Sequence, residues 1–154
     1  MTPDTEHLPI VVGVDGSSAS VEALTFGARL AAALDTPLVA VTTWTYPVMV
    51  DPFDPGTEWS PKREAETCLA DAVLEAFQGS PPERLTRTVL PGRAAEVLIE
   101  QSEHASMLVV GSRGHGGFAG LLLGSVSAAC AAHAHCPTLV IHAPTQRPVP
   151  APAP

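Results

Sequence analysis

The sequence predicts an α/β domain: a five-stranded parallel sheet with helices on both faces. Five short β-favouring runs alternate with four stretches of helical periodicity, in the order β-α-β-α-β-α-β-α-β. Residues 38–44 are nearly continuous in β-favouring side chains, as suits a parallel strand covered on both faces. The densest glycine cluster follows the end of a strand and precedes a helix, where open parallel sheets hold their ligands.

Leu8–Val14 reads as the first strand and Asp15-Gly16-Ser17-Ser18 as a strand-to-helix turn, with Ser17 or Ser18 as N-cap. Val21, Leu24, Ala28 and Ala31 recur at helical spacing, which predicts a helix over 18–34, stopped by Asp35-Thr36-Pro37. Leu38–Trp44 is the second strand. The connection from Tyr46 to Trp59 holds three prolines and a glycine, and is long enough to be a functional lid or a mobile insertion. Ser60-Pro61 opens the next helix as N-cap and first-turn proline. An unbroken i, i+3, i+4 pattern runs from Ala65 to Phe77 and places Cys68 on the apolar face as a small core residue. Leu85–Leu90 is the third strand, and Ala94 to about Glu103 is a helix turning Val97 and Leu98 inward. Met107–Val110 is the fourth strand, Ser125–His133 the fourth helix and Thr138–His142 the fifth strand. The N-terminal residues 1–7 and the proline-rich tail 143–154 carry no core-forming pattern and are expected to be disordered around a domain spanning 8–142.

Bulk composition narrows the function. A chain of 154 residues, 45% hydrophobic and 16% charged, is long and apolar enough for one folded domain. The net charge is −8 and Lys62 is the only lysine, so neither nucleic acid nor an anionic membrane is an expected partner. No apolar run approaches the roughly 18 residues of a membrane helix. Cys68, Cys130 and Cys136 form no disulfide framework, and the acidic N-terminus is unlike a signal peptide; both point to the cytoplasm.

The chemistry concentrates in 109–127. Five glycines fall between Gly111 and Gly120, then Gly124-Ser125-Val126-Ser127 opens a helix. Glycines let the backbone N–H groups approach a ligand, and a helix start adds unpaired donors and a positive dipole end. Phosphate is the anion this suits. The loop is not a Walker A sequence, because no Gly-Lys-Ser/Thr occurs, and it follows the fourth strand rather than the first, where the dinucleotide fingerprint belongs. Asp15 either caps the first helix or faces the ligand, and the topology brings it to the same crevice. Arg113 and His115 are phosphate partners or solvated loop residues. Cys130, His133, His135 and Cys136 lie close in sequence, but their spacing matches no zinc pattern.

Gly111-x2-Gly114-x9-Gly124-Ser125 resembles the nucleotide-binding signature of the universal stress protein family, in its ATP-binding branch. The resemblance covers residues 8–142 and includes Val-Gly-Val-Asp-Gly-Ser (12–17), Pro-Gly-Arg-Ala-Ala-Glu (91–96) and His-Cys-Pro-Thr-Leu-Val-Ile (135–141). It implies a Rossmann-like sheet, of the adenine-nucleotide alpha-hydrolase type, in the order 3-2-1-4-5. It also implies bound ATP, with Mg2+, and a homodimer through the last strand, Thr138–His142. Carried over residue by residue, Gly13, Val14 and Asp15 lie at the adenosine end of the ligand. Thr43 lies by the adenine, to within a residue or two. Gly111, Arg113, Gly114, His115 and Gly116 approach the ribose and phosphates. Gly124, Ser125, Val126 and Ser127 hold the phosphate chain through N–H groups and hydroxyls.

Hydrolysis of ATP needs an oriented water and cations on the phosphates. Between Gly111 and Ser127 there is no carboxylate and no lysine, and Asp15 cannot fill every role. The expectation is therefore a stress-response regulator that holds ATP with slow or no turnover, not an enzyme. The alternatives are an AMP or cyclic-AMP binder, a nucleotide-independent interaction module that docks through the 46–59 insertion and the tail, and a slow ATPase.

Overall fold

The computed structural model describes residues 8–47, 59–114, 123–143 and Pro152. The expectations for 1–7, for 48–58 of the insertion, for His115 and Gly116, and for nearly all of 143–154 lie outside the described residues.

The elements alternate as expected: β1 (Ile10–Gly13), α1 (Ser18–Leu34), β2 (Leu38–Trp44), α2 (Pro61–Phe77), β3 (Leu85–Pro91), α3 (Ala94–Ser102), β4 (Met107–Gly111), α4 (Ser125–His133) and β5 (Thr138–Ile141). All pairings are parallel, and the strand order is β3-β2-β1-β4-β5. The chain builds outward from β1 to β3, then crosses to the other side of β1 for β4 and β5. The carboxyl ends of β1 and β4 therefore flank the point where the order reverses.

Side chains of the central strands point alternately to two cores. Ile10 and Val12, Leu38 and Ala40, and Val109 pack with Leu24 of α1 and Leu69 of α2. Val11, Val41, Leu108 and Val110 pack with Leu98 of α3 and Cys130 of α4. Both faces are covered, which is why these strands are mostly apolar. Burial pushes the Cys130 thiol up to about 11, so it acts as a small hydrophobe.

Local chemistry sets the helix ends. Ser17, not Ser18, caps α1, its hydroxyl accepting from the Ser20 N–H at 3.2 Å. The helix stops at Asp35, which turns left-handed at φ 53° and takes the Arg84 guanidinium at 2.9 Å. Ser60 caps α2 with Pro61 in its first turn, and Gln78 and Gly79 end it, both with positive φ.

Several edges differ from expectation. β1 begins at Ile10 rather than Leu8, because Pro9 has no N–H to give the ladder and contributes only its carbonyl, to Ser106 N at 2.9 Å. It also ends before Val14, whose N–H still reaches Val41 O at 2.8 Å. β3 and β4 each run one residue further, pairing Pro91 with Trp44 and Gly111 with Ile141. β5 ends at Ile141 and α3 at Ser102, one residue short of expectation. Cys68 is half-buried rather than a core residue. Among the described residues no helix is long and apolar enough to cross a membrane.

Gly111 is the tightest backbone contact between sheet and helix. A Cβ there would stand 2.8 Å from the carbonyl carbon and Cβ of Ala19 and 2.9 Å from the N of Ser20. Backbone cannot rotate aside as a side chain can. Gly111→Ala is expected to destabilise the fold by about 1–3 kcal/mol, read as a lower urea midpoint at unchanged slope.

Candidate functional site

The carboxyl ends of β1, β2 and β4 open into a crevice of about 800 Å3. Its first wall is the turn after β1. The Asp15 carboxylate accepts from Ser17 N at 2.9 Å, an Asx turn that aims the side chain back over its own loop. Ser20 braces the same turn, its hydroxyl accepting from Asp15 N at 3.3 Å and donating to Ser17 O at 2.9 Å. The buried Thr42 hydroxyl donates to Val14 O at 2.8 Å and ties this turn to β2.

The second wall is the glycine loop, and its anchor is the Ser112 peptide. Ser112 N donates to Ile141 O at 2.7 Å, which fixes it to the last strand. Its carbonyl accepts twice, from Gly124 N at 2.7 Å and from the Ser127 hydroxyl at 2.9 Å. The loop thus leaves and returns at one point, and α4 starts beside the end of β4. Gly124 caps α4 with no side-chain hydrogen bond. The N–H groups of Ser125, Val126 and Ser127 lie in the first turn, without intrahelical acceptors. Gly114 faces Asp15 so closely that a Cβ there would overlap the carboxylate.

The third wall is the start of α2, formed by Trp59, Pro61, Glu64, Ala65 and Cys68. Glu64 accepts from the Trp59 indole N–H at 2.6 Å. Burial first, then the carboxylates of Asp15 and Asp71, push the Cys68 thiol up, which keeps it protonated and a poor nucleophile.

The expected residues converge. Gly13, Val14, Asp15 and Thr43 line one side of the crevice, and Gly111, Arg113, Gly114, Gly124, Ser125, Val126 and Ser127 the other. His115 and Gly116 lie outside the described residues. Ser127 has a different local role from the one expected of its hydroxyl. It is buried and donates to Ser112 O and, at 3.1 Å, to Gly124 O, so it serves the loop and offers only its backbone N–H to a ligand. Ser125 is exposed and free of that geometry. The cysteines and histidines near the end of α4 diverge: Cys130 is in the core while His133 and His135 are exposed.

Trp44, Thr45 and the whole α2 wall were not expected at the site. A signal existed: of the two tryptophans of the chain, Trp44 stands just before the Tyr46–Trp59 connection and Trp59 ends it.

The electrostatics are uneven along the crevice. Donors without helix partners, a helix dipole and Arg113 stand at the α4 end. Glu64, the aromatic rings and apolar side chains stand at the α2 end. A ligand with an anionic end and a flat apolar end fits this polarity.

Comparison with known proteins agrees with this architecture. The family model for the universal stress protein family matches residues 7–142. A universal stress protein of Mycobacterium tuberculosis is 38% identical over 139 residues, which are 90% of this chain and 46% of that protein. The chain therefore spans about half the length of the curated relatives it matches. Among solved structures, a universal stress protein in complex with cAMP superposes with a TM-score of 0.68 at 24% identity, over 91% of this chain and 100% of that one. One from Archaeoglobus fulgidus in complex with dAMP superposes with a TM-score of 0.62 at 22% identity, over 89% and 99%. The fold, the family model and the curated relatives all agree: this chain belongs to the universal stress protein family.

Proposed function

We propose that this chain binds an adenine nucleotide, ATP, in the crevice between β1, β4 and α2, and acts as a stress-response regulator that holds the nucleotide with slow or no hydrolysis. The observation that carries the reading is the polarity of the crevice: first-turn N–H groups of α4 without intrahelical acceptors at one end, apolar and aromatic side chains at the other. The relatives solved with cAMP and dAMP support an adenine ligand. They also favour a second reading, in which the ligand is AMP or cyclic AMP with a single phosphate.

In the leading reading the phosphates lie against Gly124–Ser127 and Arg113, and the glycosyl end lies by Asp15. Mg2+ accompanying ATP would neutralise phosphate charge, and Asp15, which also stands against Gly114 of the loop, would be the carboxylate to ligate it. The case for slow turnover rests on the crevice chemistry. Its carboxylates among the described residues are Asp15 and Glu64, no lysine lines it, and the Ser127 hydroxyl is committed to Ser112. A homodimer through β5 belongs to the same reading, supported by its position at the sheet edge.

Nucleotide released by denaturing freshly purified protein, separated by chromatography, is expected to be adenine nucleotide. ATP as the main species favours the first reading, AMP or cyclic AMP the second, and none of them counts against both. In titration calorimetry, Gly114→Ala is expected to weaken ATP binding about tenfold or more, because its methyl displaces the Asp15 carboxylate. Unchanged affinity would remove Asp15 and the loop from the site. Steady ADP release that Asp15→Ala abolishes would instead make the protein an ATPase. Sedimentation velocity at micromolar concentration is expected to give a dimer, and a lone monomer peak would refute the β5 contact.

A further inference from the structure

We propose that Trp59, held in place by Glu64, is the base-stacking residue of the crevice, so that affinity depends on the presence of an aromatic base and not on sugar and phosphate alone. The inference rests on the nucleotide reading above and assigns its base end to residues of α2.

Trp59 immediately precedes the N-cap Ser60, and Glu64 is the fourth residue of the helix. These are the two positions that a hydrophobic staple would join at a helix entry. Here the pair is joined by a hydrogen bond instead, from indole N–H to carboxylate at 2.6 Å. A charge-assisted bond of that length fixes the ring. The ring is not fixed for core packing, because Trp59 remains 40% exposed. Trp59 and Glu64 line both the crevice and a second hollow along α2.

The surroundings suit a flat apolar group. Pro61, Ala65 and Val41 line the crevice with Trp59. So does Trp44, which meets Tyr46 edge to face at 5.4 Å; its buried indole N–H has no partner among the described residues. The Glu64 carboxylate repels phosphate from this end. The phosphate donors are on β4 and α4, whereas Val41 and Trp44 of the apolar end are on β2, two strand spacings or about 10 Å from β4. That separation matches the two ends of a nucleotide, base at one and phosphate at the other.

The test compares AMP with ribose 5-phosphate on the whole chain. Affinities are read from shifts of the Gly124–Ser127 backbone amides, and unchanged circular dichroism confirms folding. Trp59→Ala is expected to weaken AMP about tenfold while leaving ribose 5-phosphate unchanged, and Trp59→Phe to stay within about threefold of the parent. Glu64 acts as a positioning residue. Glu64→Ala should weaken AMP, and Glu64→Gln, which keeps an acceptor for the indole N–H, should restore it. Equal losses for AMP and ribose 5-phosphate, or no loss of AMP in Trp59→Ala, would overturn the stacking role. Equal weakening by Gln and Ala would overturn the role of Glu64. Failure of the parent chain to bind AMP or ATP at all would instead refute the nucleotide reading itself.

Discussion

The candidate site depends on one peptide, that of Ser112. Its N–H is committed to β5 through Ile141, and its carbonyl receives both the N–H of Gly124 and the hydroxyl of Ser127. A carbonyl has two lone pairs, and both are used here. The first turn of α4 is therefore placed relative to the sheet by hydrogen bonds, not by the path of the loop between. Gly111, one residue earlier, lets the same strand end meet the first turn of α1 at backbone contact. The two helix starts and the Asp15 turn are brought to one crevice by this short stretch.

The proposed binding of an anion by an acidic chain requires local fields. The net charge of −8 repels phosphate at long range, but that field is screened over about 8–10 Å by salt. In that reading the dipole of α4 and its first-turn N–H groups, which lack intrahelical acceptors, outweigh it within the crevice because they are oriented and close. The same balance makes the other end of the crevice unfavourable for phosphate, where Glu64 stands among apolar groups. In the nucleotide reading, ligand orientation follows from the helix start of α4 and the placement of the two crevice carboxylates, Asp15 against the glycine loop and Glu64 at the α2 end, not from overall charge.

The fold was largely legible because every level of the pattern agreed. Caps, apolar periodicity and stops coincided at α1 and α2, and their bounds follow from Ser17, Asp35, Ser60 and Gln78. Strand ends were less legible, because whether Leu8 or His142 joins a ladder depends on the neighbouring strand. At the site, the residues of the glycine signature that the structure describes converge on one crevice, but the signature does not specify their hydrogen bonds. Nothing in Ser-Val-Ser says that the second hydroxyl turns inward to Ser112. The α2 wall was missed for a topological reason. The sequence reads 46–59 as a functional lid or a mobile insertion and does not show that the crossover returns its last residue, Trp59, to the crevice. Cys68 was assigned to the core because helical periodicity identifies the inward face but not whether that face meets the sheet or an opening beside it.

The closure at Ser112 also separates two quantities that usually vary together. The segment from Arg113 to Leu123 begins and ends at residues held 2.7 Å apart, N to O, by the Ser112–Gly124 bond. Lengthening such a segment changes its closure entropy only slowly, by about 0.6 kcal/mol for each doubling. Insertions or deletions between Gly114 and Leu123 can therefore accumulate with little effect on where α4 begins. Across descendants of such a sequence, loop length becomes a variable that selection can tune for new contacts without relocating the start of α4.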